Sequence, residues 1–350
     1  MRDLILQLSK SSIYSTNPPH ISLFLKEPAL ALTPACYLND PFEAKLTRKY
    51  KDDAVSAYAK ILKEDNRERF SKRFREDLDN NGAYSGIVSL TTKKGSSMMM
   101  SHYANNHRGG FLEFTVSDEI KEGVNNKINL FIQGDSNNYN CGPVIYAGGN
   151  DRGLSYSSEN LDSFEKSFFE KGHEWEIEEE IRYVADFRRA DYFIMPIKSL
   201  LDYYVSQIEV IVDYTIDNDS VRFIYQGYDD NILSLRPRKI QYIFFKIMGE
   251  ECIESFTFSF LNENIIFKIK LSDENVMLSM LTLNRLVKNN VIFYPMVKVN
   301  ASVLTGVYLG ARFNEKDISH EDLRVFVNLK NNIYSCELSD VDFSLEYNRI

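Results

Sequence analysis

At 350 residues the chain has room for one large domain or two ordinary ones, and 44% hydrophobic residues with 23 Phe and 21 Tyr argue for a globular, β-leaning protein over a disordered one. Its 41 basic and 50 acidic residues leave a net charge of −9, against a broad cationic face for nucleic-acid binding. No window approaches the roughly 18 uninterrupted apolar residues of a membrane span, and the opening run is too short for a signal h-region.

In chain order, residues 13–16 and 30–33 read as short strands around a helical turn near 21–25, and Asn39-Asp40-Pro41 reads as a tight turn. Segment 53–78 is helical in period, with Val55, Tyr58 and Leu62 and then Phe70, Phe74 and Leu78 recurring every three or four residues. Asp52 or Asp53 can cap its start, and Asn80-Asn81-Gly82 supplies a stop. The basic residues of this segment interleave with acidic ones, as on a solvated helix with i,i+4 pairs. Residues 87–90 follow as a strand.

The stretch Ser101 to Phe114 then places His102, Tyr103, His107 and Arg108 at a junction, between the Met98-Met99-Met100 run and a strand over 111–116, across a Gly109-Gly110 turn. The polar, glycine-containing stretch 134–158 reads as a mobile loop, followed by a helix aligned on Leu161, Phe164 and Phe168 and stopped at Gly172. From 208 onward β-like runs dominate, at 210–212, 221–225, 240–247, 255–260, 265–271 and 291–299. One helix interrupts them at 273–288, and the capping-box spacing Ser319-His320-Glu321-Asp322 opens another. Without a regular βαβ rhythm the expectation is an α+β fold, with a mainly antiparallel central sheet, flanking helices and a β-rich C-terminal half. Residues 1–215 are expected to form the core with the functional site, 216–300 a β-rich elaboration, and 301–350 a strand-helix-strand return to the core.

Three signatures carry chemistry. In Trp175-x-x-Glu178-x-Glu180-x-Arg182, a strand over 176–183 would put Glu178, Glu180 and Arg182 on one face and turn Ile177, Ile181 and Tyr183 into the core. On a helix, Glu178 or Glu179 would instead pair with Arg182. In Asn39-Asp40-Pro41-Phe42-Glu43, turn formation explains Asn39 and Asp40, whereas Glu43 either forms a buried salt bridge or points into a cleft shared with His102 and Tyr103. His102 and His107 are five residues apart and do not share a helix face, so no metal site is expected of them, and structural and ligand-contacting roles both stay open. Tyr103 and Trp175 offer stacking surfaces for a base or sugar, or serve as ordinary core aromatics. No phosphate loop, dinucleotide fingerprint or Gly-x-Ser-x-Gly elbow is present. Cys36, Cys141, Cys252 and Cys336 form no Cys-x-x-Cys pair and read as free thiols of a reducing, cytoplasmic compartment.

Ile13-Tyr14-Ser15-Thr16, Leu38 to Glu43, Ser89-Leu90-Thr91, Ser101-His102-Tyr103-Ala104 with His107 and Gly109, the Trp175 to Arg182 spacing and Val307-Tyr308-Leu309-Gly310 together resemble the prokaryotic domain-of-unknown-function family 2971. That resemblance implies a compact α+β protein of bacteria or their mobile elements, sometimes found beside antiviral defence genes, and carries no settled activity. The order of an early tyrosine strand, Ser89-x-Thr91 and Glu178-x-Glu180 is also similar to that of ADP-ribosyltransferases, in which a Glu-x-Glu pair orients a ribose hydroxyl or stabilises an oxocarbenium-like centre. Those enzymes place Arg or His on the first strand, where this chain has Tyr14-Ser15-Thr16.

The expected function is that of a nucleotide- or NAD-handling enzyme. Glu180 is its leading catalytic candidate, with Glu178, the second, and Arg182 orienting, and Asn39, Asp40, Glu43, His102, Tyr103, His107, Trp175 and Arg182 are its ligand contacts. NAD is the candidate cofactor, and no membrane or broad nucleic-acid partner is expected. The alternative is a non-enzymatic sensor or binding module for a protein or nucleotide. A metal-dependent nuclease using Asp40, Glu43, Glu178 and Glu180 is a weaker third reading, because the spacing matches no nuclease motif.

Overall fold

The structure is a computed structural model that describes residues 2–7, 24, 28–38, 40, 42–60, 67–79, 85–93, 97–116, 140–147, 165–187, 190–206, 211–217, 220–225, 253–261, 264–271, 286, 289, 291–314, 332–342 and 344–350. The strands, in chain order, begin with β1 (Arg2–Gln7), β2 (Ala29–Ala31), β3 (Thr33–Pro34), β4 (Ser85–Thr91), β5 (Gly110–Val116) and β6 (Asn140–Pro143). Next come β7 (Ile145–Ala147), β8 (Glu170–Gly172), β9 (Glu180–Asp186), β10 (Tyr192–Pro196), β11 (Ile211–Asp217) and β12 (Ser220–Tyr225). The last are β13 (Ile253–Leu261), β14 (Asn264–Leu271), β15 (Tyr294–Lys298), β16 (Leu304–Leu309), β17 (Ile333–Leu338) and β18 (Leu345–Arg349). The helices are α1 (Arg48–Ala59), α2 (Arg67–Asp79), α3 (Ser97–Tyr103) and α4 (Ile197–Ser206). Sheets with helices packed beside them make the fold α+β, and among the described residues no helix is long and apolar enough to cross a membrane.

The chain divides into two compact units, one made of residues 1–186 with 297–350, the other of 187–296. The first is built on a nine-stranded sheet in the order β18-β17-β16-β5-β1-β4-β9-β6, with β3 also pairing β4. Every pairing in it is antiparallel except β16 with β17. Because alternate side chains of a strand point to opposite faces, β9 sorts its sequence in two. Ile181, Tyr183 and Ala185 join Val88, Leu90, Leu112, Phe114 and Val307 in the main core. On the other face, Glu180, Arg182 and Val184 stand opposite Thr91, Ser89 and Ile87 of β4, and Val184 and Ile87 pack with Leu38, Ala44 and Phe168. The sheet is thus covered on both sides, and Glu180 and Arg182 are buried although their face carries charge.

Close backbone approach holds β4 against the β2–β3 segment. A Cβ on Gly86 would lie 2.5 Å from the Leu32 Cβ and 2.8 Å from the Leu32 carbonyl oxygen. Gly86→Ala is therefore expected to destabilise the protein by about 1–3 kcal/mol through overpacking, read as a lower denaturation midpoint. A variant within about 0.5 kcal/mol of wild type would show that the two segments separate freely.

The helical segment at 53–78 is two helices. Thr47, not Asp52 or Asp53, caps the first, its hydroxyl accepting the Tyr50 N–H at 3.1 Å. Tyr50 and Ala54 of α1 pack with Phe74 and Leu78 of α2, and Lys51 pairs with Asp79 at 2.6 Å while Arg75 pairs with Asp52. Inside the stretch read as a mobile loop lie β6, paired to β9, and β7, paired to β8. Phe168 sits in a short 3-10 helix, Ser167–Phe169, and not in a longer helix stopped at Gly172, which closes β8 instead. The expected elements at 13–16, 240–247 and Ser319 fall outside the described residues, as do Asn39, Pro41, Leu161 and Phe164; so do the turn at 21–25 except Phe24 and the helix at 273–288 except Leu286.

In the second unit, β10 lies between β14 and β15, and β13 and β14 form an antiparallel hairpin, as do β11 and β12. Phe293 meets Phe187 edge-on at 6.0 Å and Phe193 at 6.3 Å, which builds an aromatic core beside β10. The Ser199 hydroxyl of α4 accepts the Ile292 N–H at 2.6 Å.

Candidate functional site

Five ionisable side chains converge on the charged face of β9. Arg182, whose side chain is 0% exposed, donates from Nε to Glu180 Oε1 at 3.0 Å and from one terminal nitrogen to Glu180 Oε2 at 2.9 Å and Glu43 Oε2 at 2.6 Å. Its other terminal nitrogen donates to the Phe168 carbonyl at 2.7 Å, so the guanidinium fork is filled from three segments. Lys171, in the middle of β8, is equally buried. Its Nζ lies 2.6 Å from Glu178 Oε2, 3.0 Å from Glu43 Oε1 and 3.4 Å from Glu180 Oε2. The Glu43 contact is ionic without hydrogen-bond alignment, and Oε1 accepts no hydrogen bond.

Two aromatic side chains complete the cluster. The Tyr103 hydroxyl donates to Glu178 Oε1. The Trp175 ring lies over the Lys171 ammonium, 4.6 Å from centroid to nitrogen, a cation–π contact. Tyr146 on β7 adds a backbone anchor, its hydroxyl accepting the Glu180 N–H at 2.7 Å. Burial pulls the Lys171 ammonium down, but the charges of Glu180, Glu43 and Glu178 override it and hold lysine above its ordinary value. Arg182 is raised in the same way, with Glu180 and Glu43 overriding burial.

Glu178 reaches the cluster by a different route from the strand geometry expected of it. It ends a 3-10 helix, His173–Glu178, and Glu179 then takes the left-handed conformation at φ 43° before β9 begins. Glu178 and Glu180 therefore do not stand side by side on one strand, but are brought together by Lys171. Ile177, expected in the core, is 38% exposed because the 3-10 turn rotates it outward. Glu179 pairs with Lys93 at 3.4 Å, not with Arg182. The turn is tied to β4 and the residue after it: the Thr91 hydroxyl donates to the Glu178 carbonyl at 2.5 Å, and the Thr92 N–H to the Glu179 carbonyl at 3.2 Å.

Of the ligand-contact candidates, Glu43, Tyr103, Trp175 and Arg182 meet in this cluster with Glu178 and Glu180. Asp40 is buried, but its Oδ1 accepts the Phe42 N–H at 2.8 Å in the local turn. His102 is exposed near the end of α3. His107 belongs to the turn that leaves α3, where Asn105, Asn106 and His107 all have positive φ. Its carbonyl accepts the Arg312 N–H at 2.9 Å, its Nδ1 is buried without a hydrogen bond, and burial followed by the Arg312 charge holds its pKa below the ordinary histidine value. Asn39 lies outside the described residues.

Sequence reasoning missed Lys171 and Tyr146, since neither has a periodic or motif signal around it. Charge bookkeeping alone would have called for a second cation, because three buried glutamates cannot be balanced by Arg182 by itself. Among the described residues no group of three or more His, Cys, Asp or Glu is arranged to hold a metal ion, and the point on which Glu43, Glu178 and Glu180 converge is filled by the lysine ammonium. Cys141 and Cys336 are free thiols, and burial raises both to about 11. Comparison of the chain with protein-family models, curated proteins and solved structures gives no match.

Proposed function

We propose that the protein is a relative of family 2971 and a nucleotide- or NAD-handling enzyme of ADP-ribosyltransferase-like type. It would act in the cytoplasm of a bacterial or mobile-element system, antiviral defence included. Glu178 is the reacting carboxylate, and Glu43, Glu180, Arg182 and Lys171 form the charged cluster beside it. The observation that carries this reading is the charge surplus of the cluster. With all five groups ionised, Glu43, Glu178 and Glu180 exceed Lys171 and Arg182 by one negative charge, and the half-buried Trp175 ring lies against the Lys171 ammonium that Glu178 binds most closely.

A carboxylate beside an aromatic face suits a cationic ring or an oxocarbenium-like centre. Glu180 is less suited to react, because Arg182 holds both of its oxygens with charge-assisted bonds, whereas Glu178 has one charged donor, Lys171, and one neutral donor, Tyr103. A non-enzymatic binding module is the second reading, favoured by the ion pairing of every charged group within the cluster.

Incubating wild type and Glu178→Gln with NAD and following products by mass spectrometry separates the two. The enzyme reading expects nicotinamide or a modified target from wild type, at a rate reduced by about 100-fold or more in the variant. Saturable NAD binding by both proteins without product supports the binding module for a nucleotide, and absence of both binding and product rejects NAD as the ligand and leaves the module for a protein partner as the reading to test.

A further inference from the structure

Glu178 is the sole buried residue of the His173–Glu178 helix, and its two carboxylate oxygens take one donor each, Oε2 from Lys171 at 2.6 Å and Oε1 from Tyr103. We infer that Lys171 and Tyr103 form a seat for an oxyanion, the phosphate of a nucleotide, which the Glu178 carboxylate occupies in this structure as a tethered stand-in. The nucleotide identity of the ligand rests on the functional reading above; the oxyanion seat rests on the geometry.

The charge balance supports the exchange. Without Glu178, Glu43 and Glu180 match Lys171 and Arg182 one to one, and an incoming phosphate, at about −1 to −2, would take the place of the single negative charge that the departing carboxylate removes. The donors are suited to the task, since an ammonium has only protons to offer and charge-assisted hydrogen bonds to anionic oxygen are among the stronger ones. Both are also desolvated, with Tyr103 and Lys171 buried.

The covering segment is built to yield. Five of its six residues are partly or fully exposed, 3-10 hydrogen bonds are poorer than those of an α-helix, and its two ends are Gly172 and the left-handed Glu179. Thr91 and Thr92 hold the carbonyls of Glu178 and Glu179, so this end serves as the pivot while the Glu178 side chain and the turn bearing Trp175 swing. Release of Glu178 from Lys171 also frees it to face the ligand, as the proposed chemistry needs.

Trp175 is the single tryptophan of the chain and lies 4.6 Å from the Lys171 ammonium, so its emission reports directly on the seat. The test is a fluorescence titration of wild type and Glu178→Ala with inorganic phosphate and with AMP, at constant ionic strength set by chloride. A saturable change in Trp175 emission is expected, with phosphate affinity at least tenfold tighter in Glu178→Ala. Tighter binding of AMP than of phosphate assigns the seat to a nucleotide, and equal affinity assigns it to free phosphate.

A folded Glu178→Ala with no saturable response, or with the same affinity as wild type, overturns the inference. Should that variant not fold, the wild-type titration decides alone: a saturable AMP-dependent red shift sustains the seat, and an unchanged spectrum overturns it. Phosphate-dependent emission without NAD turnover would leave the seat standing and remove the enzyme reading, whereas turnover with no emission change in either protein would do the reverse.

Discussion

Arg182→Met is expected to lower stability by about 3–5 kcal/mol, the cost typical of removing one partner from a buried ion pair. The arginine side chain is 0% exposed and is the main hydrogen-bond donor to Glu180 as well as a donor to Glu43 and the Phe168 carbonyl. The methionine would fill part of the volume and satisfy none of these acceptors. The loss would be read from urea denaturation at neutral pH. Arg182→Lys should recover a minority of the loss, since an ammonium cannot reproduce the fork or the third contact. A methionine variant as stable as wild type across pH 5–8 would mean that the network contributes nothing to the fold.

Lys171→Ala should be comparably damaging, again about 3–5 kcal/mol, because it leaves Glu43, Glu178 and Glu180 facing Arg182 alone. It also leaves an ammonium-shaped space walled by carboxylates and the Trp175 ring, so propylammonium should raise the variant's melting temperature saturably while leaving wild type unchanged. No effect of the amine on a folded variant would contradict the geometry of the site. Lys171 also shapes the alkaline limb of wild-type stability. Since its native pKa is raised, its contribution is fully present below the ordinary lysine value of 10.5 and is lost as the pH climbs from there through the higher native value. That limb should be missing from Lys171→Ala.

Several elements of this structure could be read along the chain because they depend on neighbours a few residues away. The strand at Gly110–Val116, the strand at Ser85–Thr91 and the hairpin of Ile253–Leu261 with Asn264–Leu271 follow from runs of apolar and β-branched residues between turn signals. So does the placing of Ile181 and Tyr183 in the core with Glu180 and Arg182 on the other face, since alternation along a strand is a local property. Where local rules compete, the reading slipped. Trp175 to Glu178 has no proline or glycine to break a strand, yet it coils into a 3-10 turn, and the left-handed Glu179 resets the direction before β9. Thr47 capped α1 in place of Asp52 or Asp53 because the first apolar contact of the helix, Tyr50, lies one turn earlier than the periodicity suggested.

By itself the sequence determined an α+β chain, the acidic-basic character of the 175–182 stretch and the candidacy of Glu43, because these depend on residue type and short-range spacing. What only the tertiary structure decided is the pairing: Lys171 and Glu43, 128 positions apart in the chain, meet at 3.0 Å, and Tyr103 reaches Glu178 across the fold. The physical reason is that charge is recognised at contact distance in a desolvated interior, and which charges come into contact is set by the sheet order β4-β9-β6 and the strand β8 beside β7, none of which leaves a local trace in the residues that meet.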